Sequence, residues 1–376
     1  FLDNVDKVTT TSSADATTLN NYIGEAHLMR ALAYHRLAIR FAKDYEPSTA
    51  EANLGLPLVL HYAPTDKPAR ATLKQTYDQI VSDLAQAKLK LTTAGAANSY
   101  YLTADAVTAL EARVALYMHD WTTAITKSNT IIAAYPLIDN STAFETMWKN
   151  DTGSEIIMKT FMSTTELAGQ MNVYINYSTG SLKNIPDFVP EQWVVNLYAS
   201  NDIRKSSYLV QAPIIIQSQT YTTAYMINKY QGNPTLFTTA VSNYYQMIKL
   251  FRSAEAHLIK AEAAYRNSQP DVAVAALNVL RNKRGLASLS TSLSGTALFT
   301  AIKEERTREM LCEGTRLDDL KRWGDGFSRG PAQNSAMILT GSTTESLTVA
   351  ASDMRFVWEI PANDLTTNKN LVKNWQ

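Results

Sequence analysis

Two helical patterns meet near Asp120 with only a residue or two between them, and that junction restricts what the chain can become. The first begins at Thr103, a good N-cap residue followed by Ala104, Asp105 and Ala106, and reads to about His119. The second carries Trp121, Ala124, Ile125, Ser128, Ile131, Ile132 and Tyr135 at helical spacing. So short a connection makes the two helices antiparallel neighbours. Such a pair cannot bury its apolar faces alone and must stack on others.

Similar patterns recur along the chain. One runs from about Asn20 to Lys43, with Tyr34, Leu37, Ala38, Phe41, Ala42 and Tyr45 as its stripe and Pro47 beyond its end. After an irregular piece at Gly55–Leu60, a second covers about Thr72 to Leu91. Its stripe is Leu73, Tyr77, Ile80, Leu84, Ala87 and Leu91, and Gly95 follows as a stop. Helices are expected to resume at about Tyr244, with Met247, Phe251, Ala254, Leu258, Ala261 and Tyr265 on one face. Another starts after Pro270 and ends at Arg284-Gly285. Glu25–Ala31 and Glu255–Ala261 agree at five of seven positions, an internal echo that suggests stacked helical hairpins. Residues 112–132 show the small-large pattern of a tetratricopeptide unit, with Leu116-Tyr117, Asp120-Trp121 and Ala124-Ile125.

The middle of the chain behaves differently. Ile156-Ile157-Met158 reads as a short strand, and Pro213–Ile216 has a strand tendency. Pro186, Pro190, Pro213 and Pro234 interrupt the rest. The fold class expected is therefore mainly α, a helix-pair scaffold with an irregular insertion rich in loops and short strands. We divide one domain over 1–376 into N-terminal helix pairs at 20–135, a looped insertion at 155–243, C-terminal helices at 244–330 and a tail at 331–376.

Composition narrows the function. Lys+Arg and Asp+Glu balance at 35 each, without a basic surplus, so a nucleic-acid partner is not expected. The single cysteine, Cys312, allows neither an intrachain disulfide nor a Cys-based zinc site. The histidines, at 27, 35, 61, 119 and 257, never stand at HExxH spacing, and no GxSxG elbow or GxxxxGK[ST] loop is present. Gly324-Asp325-Gly326 lies after a helix, the wrong context for a dinucleotide loop. No cofactor or metal is expected. There is no apolar run long enough to span a bilayer.

The most distinctive stretch is Ile302–Trp323, in which Glu305, Glu309 and Glu313 recur every four residues among Arg306, Arg308, Arg316 and Arg322. On one helix, this spacing puts three carboxylates on one face. They could be a general acid and base, as in glycoside hydrolysis. The abundance of arginine favours the other reading, an ion network, because paired carboxylates keep low pKa values and make poor general acids.

Ile302, Glu305-Arg306, Glu309, Glu313-Gly314, Arg316, Asp319-Leu320 and Arg322-Trp323 resemble the C-terminal signature of the SusD/RagB family. The likeness extends to Arg252 with Ala254-Glu255 and Ala261-Glu262-Ala263, and to Leu277-Asn278 with Arg281–Leu286. It also covers Glu155-Ile156-Ile157, Asp202-x-Arg204, Ile360-Pro361 and the tail at Asn368–Asn374. The tail departs from the family pattern, because Lys369 follows Asn368 where Asn-Pro is usual. The resemblance implies a tetratricopeptide-like scaffold whose loops bind glycans, or in some members peptides, for a TonB-dependent, SusC-like transporter. It also implies a protein that is not an enzyme, held at the cell surface on the outer membrane by an N-terminal lipid. Phe1–Val5 reads as the middle of a fold, and Cys312 lies inside the signature and is no lipidation site. A tetratricopeptide adaptor for protein or peptide ligands is the alternative.

Glycan capture needs flat aromatic faces and polar groups beside them. The insertion offers Asn172, Tyr174, Asn176 and Tyr177 together, with Tyr221 and Tyr225 in another loop and Tyr62 between the first helices. These are the expected ligand-binding residues. Trp121, Trp148, Trp193 and Trp323 are expected in the core.

Overall fold

The computed structural model describes residues 1–216, 218–337 and 348–375 of the chain. Part of the expected tail, residues 338–347 and 376, lies outside the described residues. Helices α1 (Ser13–Phe41) and α2 (Leu73–Lys90) form the first pair, and α3 (Ala104–Tyr117) and α4 (Trp121–Ala134) the second. Thr72 closes a capping box on α2: its hydroxyl accepts from the Gln75 N–H while the Gln75 side chain accepts from the Thr72 N–H. Thr103 caps α3 as expected, accepting from the Ala106 N–H. All six residues of the α2 stripe are buried.

The first helix begins about two turns earlier than its apolar stripe suggested. Ser12 caps it by accepting from the Asp15 N–H, and its first buried residue is Gly24. Those opening turns carry no periodic signal because they cover nothing. Leu37, expected on the buried stripe, is exposed, and His35 and Ile39 are buried in its place.

A short helix, α5 (Ser141–Lys149), leads into strand β1 (Ile156–Lys159). The insertion then folds into a four-stranded sheet, ordered β2 (Tyr177–Ser178), β3 (Lys183–Asn184), β4 (Leu209–Ile216) and β5 (Gln219–Ile227). Short helices α6 (Gln192–Asn196) and α7 (Arg204–Tyr208) interrupt it.

The helix expected from Tyr244 does not form there. Residues Lys249–Arg252 are strand β6, which pairs antiparallel with β1, setting Arg252 opposite Ile156 and Phe251 opposite Met158. The buried Asp151 carboxylate enforces this by accepting from the Met247 N–H at 3.0 Å and from Lys249 Nζ at 2.6 Å. Helix α8 (Ser253–Arg266) starts only after that pairing ends, and α9 (Pro270–Lys283) packs against it. Gly285 follows at φ +80°, a left-handed position where its carbon-free side costs nothing.

The signature is not one helix. Helix α10 (Gly295–Glu309) stops at Glu309, and α11 (Arg316–Trp323) resumes after a connection with Cys312 at φ +57° and Gly314 at φ +76°. Glu313 therefore lies in the connection. The carbonyls freed at the end of α10 find donors: the Tyr208 hydroxyl reaches Glu309, and Lys229 Nζ reaches Leu311 at 2.9 Å and the Glu313 carboxylate at 2.7 Å. A cation at a helix C-terminus also faces the negative end of the helix dipole.

The ion network is present and buried. Arg204, Arg252 and Arg284 all reach the Glu309 carboxylate, at 3.0, 2.9 and 3.0 Å. Arg204 also holds Asp202 and Glu305, Arg252 holds Glu313, and Arg284 holds Glu155. Burial alone would raise the Glu309 pKa, but the three guanidinium groups pull it well below the ordinary carboxylate range. Glu305 and Glu313 shift the same way, and Glu255, forked by Arg113, falls to about 2.

A buried pair contributes little net stability over an apolar core, yet breaking it leaves an uncompensated charge. Glu309→Gln is expected to cost about 3–5 kcal/mol, read as a lower urea midpoint at unchanged slope. These glutamates bind their protons less readily when folded. Their stabilisation is complete above the unfolded glutamate value of about 4.3 and drains as pH falls below it towards their folded values. Thermal unfolding between pH 6 and 2.5 is expected to show a midpoint that falls steeply only in the acid half of that range.

Candidate functional site

A two-lobed cleft opens where the insertion meets the signature helices. The inner lobe, about 390 Å³, is walled by Tyr174, Trp193, Thr307, Arg316 and Asp319. The outer lobe, about 810 Å³, adds Pro190, Phe327, Arg329 and Pro331. Trp193, Val194, Arg316 and Leu317 belong to both, so Trp193 and Arg316 stand at the waist. These volumes fall within the ~300–1,000 Å³ usual for small-ligand clefts.

Trp193 was expected in the core, but its residue is 39% exposed. Helix α6 is too short to bury both faces, and Val194 and Val195 take its inward side. The indole is nonetheless held in place. Its N–H donates to the Glu191 carboxylate, which also accepts from the Gly330 N–H at 2.9 Å. A Cβ at Gly330 would sit 2.8 Å from Trp193 Cδ1, so only glycine lets the chain approach the ring. Across the waist, Arg316 donates to the Thr307 hydroxyl at 2.9 Å and is exposed to solvent. A flat indole, a planar guanidinium and a hydroxyl thus border one opening.

Of the ligand-binding residues expected from sequence, Tyr174 alone lines this cleft. Its ring stacks on Tyr230 at 6.3 Å, and burial pushes its phenol up to about 12. Asn172 and Asn176 are half-buried in the same segment. Tyr177 is partly exposed in β2, and its N–H donates to the Tyr244 hydroxyl. In the sheet, Tyr177, Asn184, Ile214 and Tyr221 form one cross-strand row, putting the two tyrosines three strand spacings apart, roughly 14 Å. Tyr221 and Tyr225 are half-buried, and their strand backs the cleft. The Tyr221 hydroxyl donates to the Ala336 carbonyl, and the Gln333 amide accepts from the Tyr225 N–H and donates to the Pro190 carbonyl. Tyr62, 86% exposed, lies in the loop between α1 and α2, and its N–H donates to the Asp3 carboxylate. Trp148 is buried as expected.

A second aromatic surface escaped the sequence reading. Tyr100, Tyr101 and Phe161 form a contiguous patch, with centroids 4.6 Å and 5.2 Å apart, and each is about half exposed. A bridge between Ser99 and Met158 brings the two segments together. Adjacent tyrosines in a loop were the only local signal, because Phe161 arrives from sixty residues away.

Two family models match this chain: the SusD family over residues 204–376, and "Starch-binding associating with outer membrane" over residues 1–116. The chain belongs to the SusD family. A SusD-like protein of Formosa agariphila, P38, is 24% identical over 94% of this chain and 73% of its own length. Among solved structures, a SusD superfamily protein from Bacteroides thetaiotaomicron superposes with a TM-score of 0.83 at 23% identity, covering all of this chain and 82% of its own. A laminarin-binding SusD-like protein gives 0.70 at 20% identity, over 100% of this chain and 82% of its own. The structural likenesses extend over the whole of this chain and about four-fifths of each neighbour, so they take in both the helix pairs and the looped insertion.

Gln333 carries the link between β5 and the Pro190 loop. Gln333→Ala is expected to cost about 1–3 kcal/mol and to speed amide exchange at Tyr225. Hydrogen–deuterium exchange resolved at that peptide checks it.

Proposed function

We propose that this SusD-family chain captures glycans at the Trp193 cleft and passes them to a SusC-like TonB-dependent transporter at the outer membrane. The observation that carries the reading is the exposed indole of Trp193, fixed by Glu191 and flanked by the unburied Arg316. A sugar ring stacks its apolar C–H face on such an indole, and its hydroxyls bond to guanidinium and hydroxyl groups at the rim. Tyr174 forms the far wall of the inner lobe. The patch of Tyr100, Tyr101 and Phe161 supplies a further stacking surface for a long polymer. Weak single contacts suffice when several act on one chain. The family descriptions, starch-binding and outer-membrane-associated, and the laminarin-binding relative support a polysaccharide as cargo.

Binding without hydrolysis is the reading that fits the carboxylates. Glu305, Glu309 and Glu313 are each clasped by arginine and held below the ordinary range, which makes them poor proton donors near neutral pH. They also face the interior and not the cleft.

Affinity electrophoresis against laminarin, starch and other plant, host and microbial polysaccharides tests the reading. Retardation by one polymer is expected, with Trp193→Ala weakening it by about tenfold or more, Tyr174→Ala less so, and no reducing ends released on incubation. If no polymer retards the protein, or if Trp193→Ala binds like the parent, the cleft is not the glycan site and peptide cargo becomes the better reading.

A further inference from the structure

On the far side of the Met310–Thr315 connection lies a second cavity, of about 220 Å³. It shares Arg306, Met310, Cys312 and Thr315 with the inner lobe of the cleft, so the connection is a partition between the two. Five cationic side chains line it, from Arg36, Arg113, Lys249, Arg252 and Arg306, against the carboxylates of Glu255, Glu313 and Asp318.

Each of those carboxylates already has a partner. Arg113 forks Glu255 at 2.9 and 2.6 Å, Arg252 and Lys229 hold Glu313, and Arg40 contacts Asp318. Lys249 is committed to Asp151. What is left over is donor capacity. Arg306 is 1% exposed and spends Nε on Asp319, but its Nη1 has no partner. His35 is fully buried with both ring nitrogens unpartnered, and burial drives its pKa to about 3, so the ring stays neutral and still offers one N–H. Arg36 lines the cavity from an exposed position and makes no hydrogen bond or ion pair among the described residues. Buried donors left unmatched are costly, and native interiors ordinarily satisfy them.

We propose that this cavity is an oxyanion site, reached past Arg36, that takes one carboxylate or sulfate group against Arg36, Arg306 and His35. The geometry suits a small acid. Two guanidinium groups supply charge, the Arg306 Nη1 supplies a buried donor, and neutral His35 adds an N–H without a further desolvated charge. The site rests on these unmatched donors and is independent of the glycan reading.

The test is thermal unfolding of the protein with sodium glucuronate, sodium sulfate, glucose or sodium chloride at matched ionic strength. A saturable rise in midpoint is expected with an oxyanion and not with glucose or chloride. A rise with glucuronate assigns the site to sugar acids, and a rise with sulfate alone assigns it to the inorganic ion. Arg36→Ala, which breaks no hydrogen bond or ion pair, is expected to keep the ligand-free midpoint and weaken the apparent affinity by more than about tenfold, with Arg36→Lys in between. Trp193→Ala is expected to keep the full response, which separates this site from the glycan cleft. A linear, non-saturating response, or an equal one in Arg36→Ala, overturns the proposal.

Discussion

The Glu309 carboxylate, fully buried and reached by three arginines, is the contact on which the arrangement turns. Its partners come from three places: Arg204 opens α7 in the insertion, Arg252 ends β6, and Arg284 follows α9. One side chain at the end of α10 therefore ties the insertion, the small β1–β6 sheet and the C-terminal helices to each other. An apolar core would hold these parts together but would tolerate sliding. Forked guanidinium–carboxylate geometry does not, because each ion must keep its partner or bear the cost of an unmatched buried charge.

Helix α10 stops at Glu309, and Glu313 in the connection that follows is held by Lys229 and Arg252. Breaking the helix turns the carbonyls there toward Tyr208, Lys229 and Tyr230. The break produces the partition at Met310–Thr315, with a cleft on one face and a charged cavity on the other. The irregular backbone at the end of the signature is thus what separates the two candidate binding regions.

The internal echo shows how much location decides. Glu255 in α8 is buried and paired with Arg113, and its pKa is about 2. Glu25, its counterpart in α1, is only half-buried, and burial raises its pKa. Helix α8 is packed by α4, α9 and α10, whereas α1 lies at the end of the stack with Tyr22, Met29 and Leu37 exposed. Near-identical heptapeptides therefore hold opposite roles in the charge balance.

By itself the sequence determined the helix pairs, the cap at Thr103, the stop at Gly285 and the charged signature that marks the family. Each is a local pattern, a matter of 3.6-residue periodicity, backbone preference or a motif whose members lie close in the chain, whereas the arginines that clasp Glu309 come from far along the chain. Only the tertiary structure decided that Tyr244–Arg252 would extend and not coil, since the deciding partners, Asp151 and β1, lie far away in sequence. It also decided that Trp193 would stand open while Tyr221 and Tyr225 are half-buried behind the cleft, and that Tyr100 and Tyr101 would meet Phe161. Exposure depends on which surfaces remain once every element has packed, and an aromatic residue in a loop carries no mark of whether another segment will cover it.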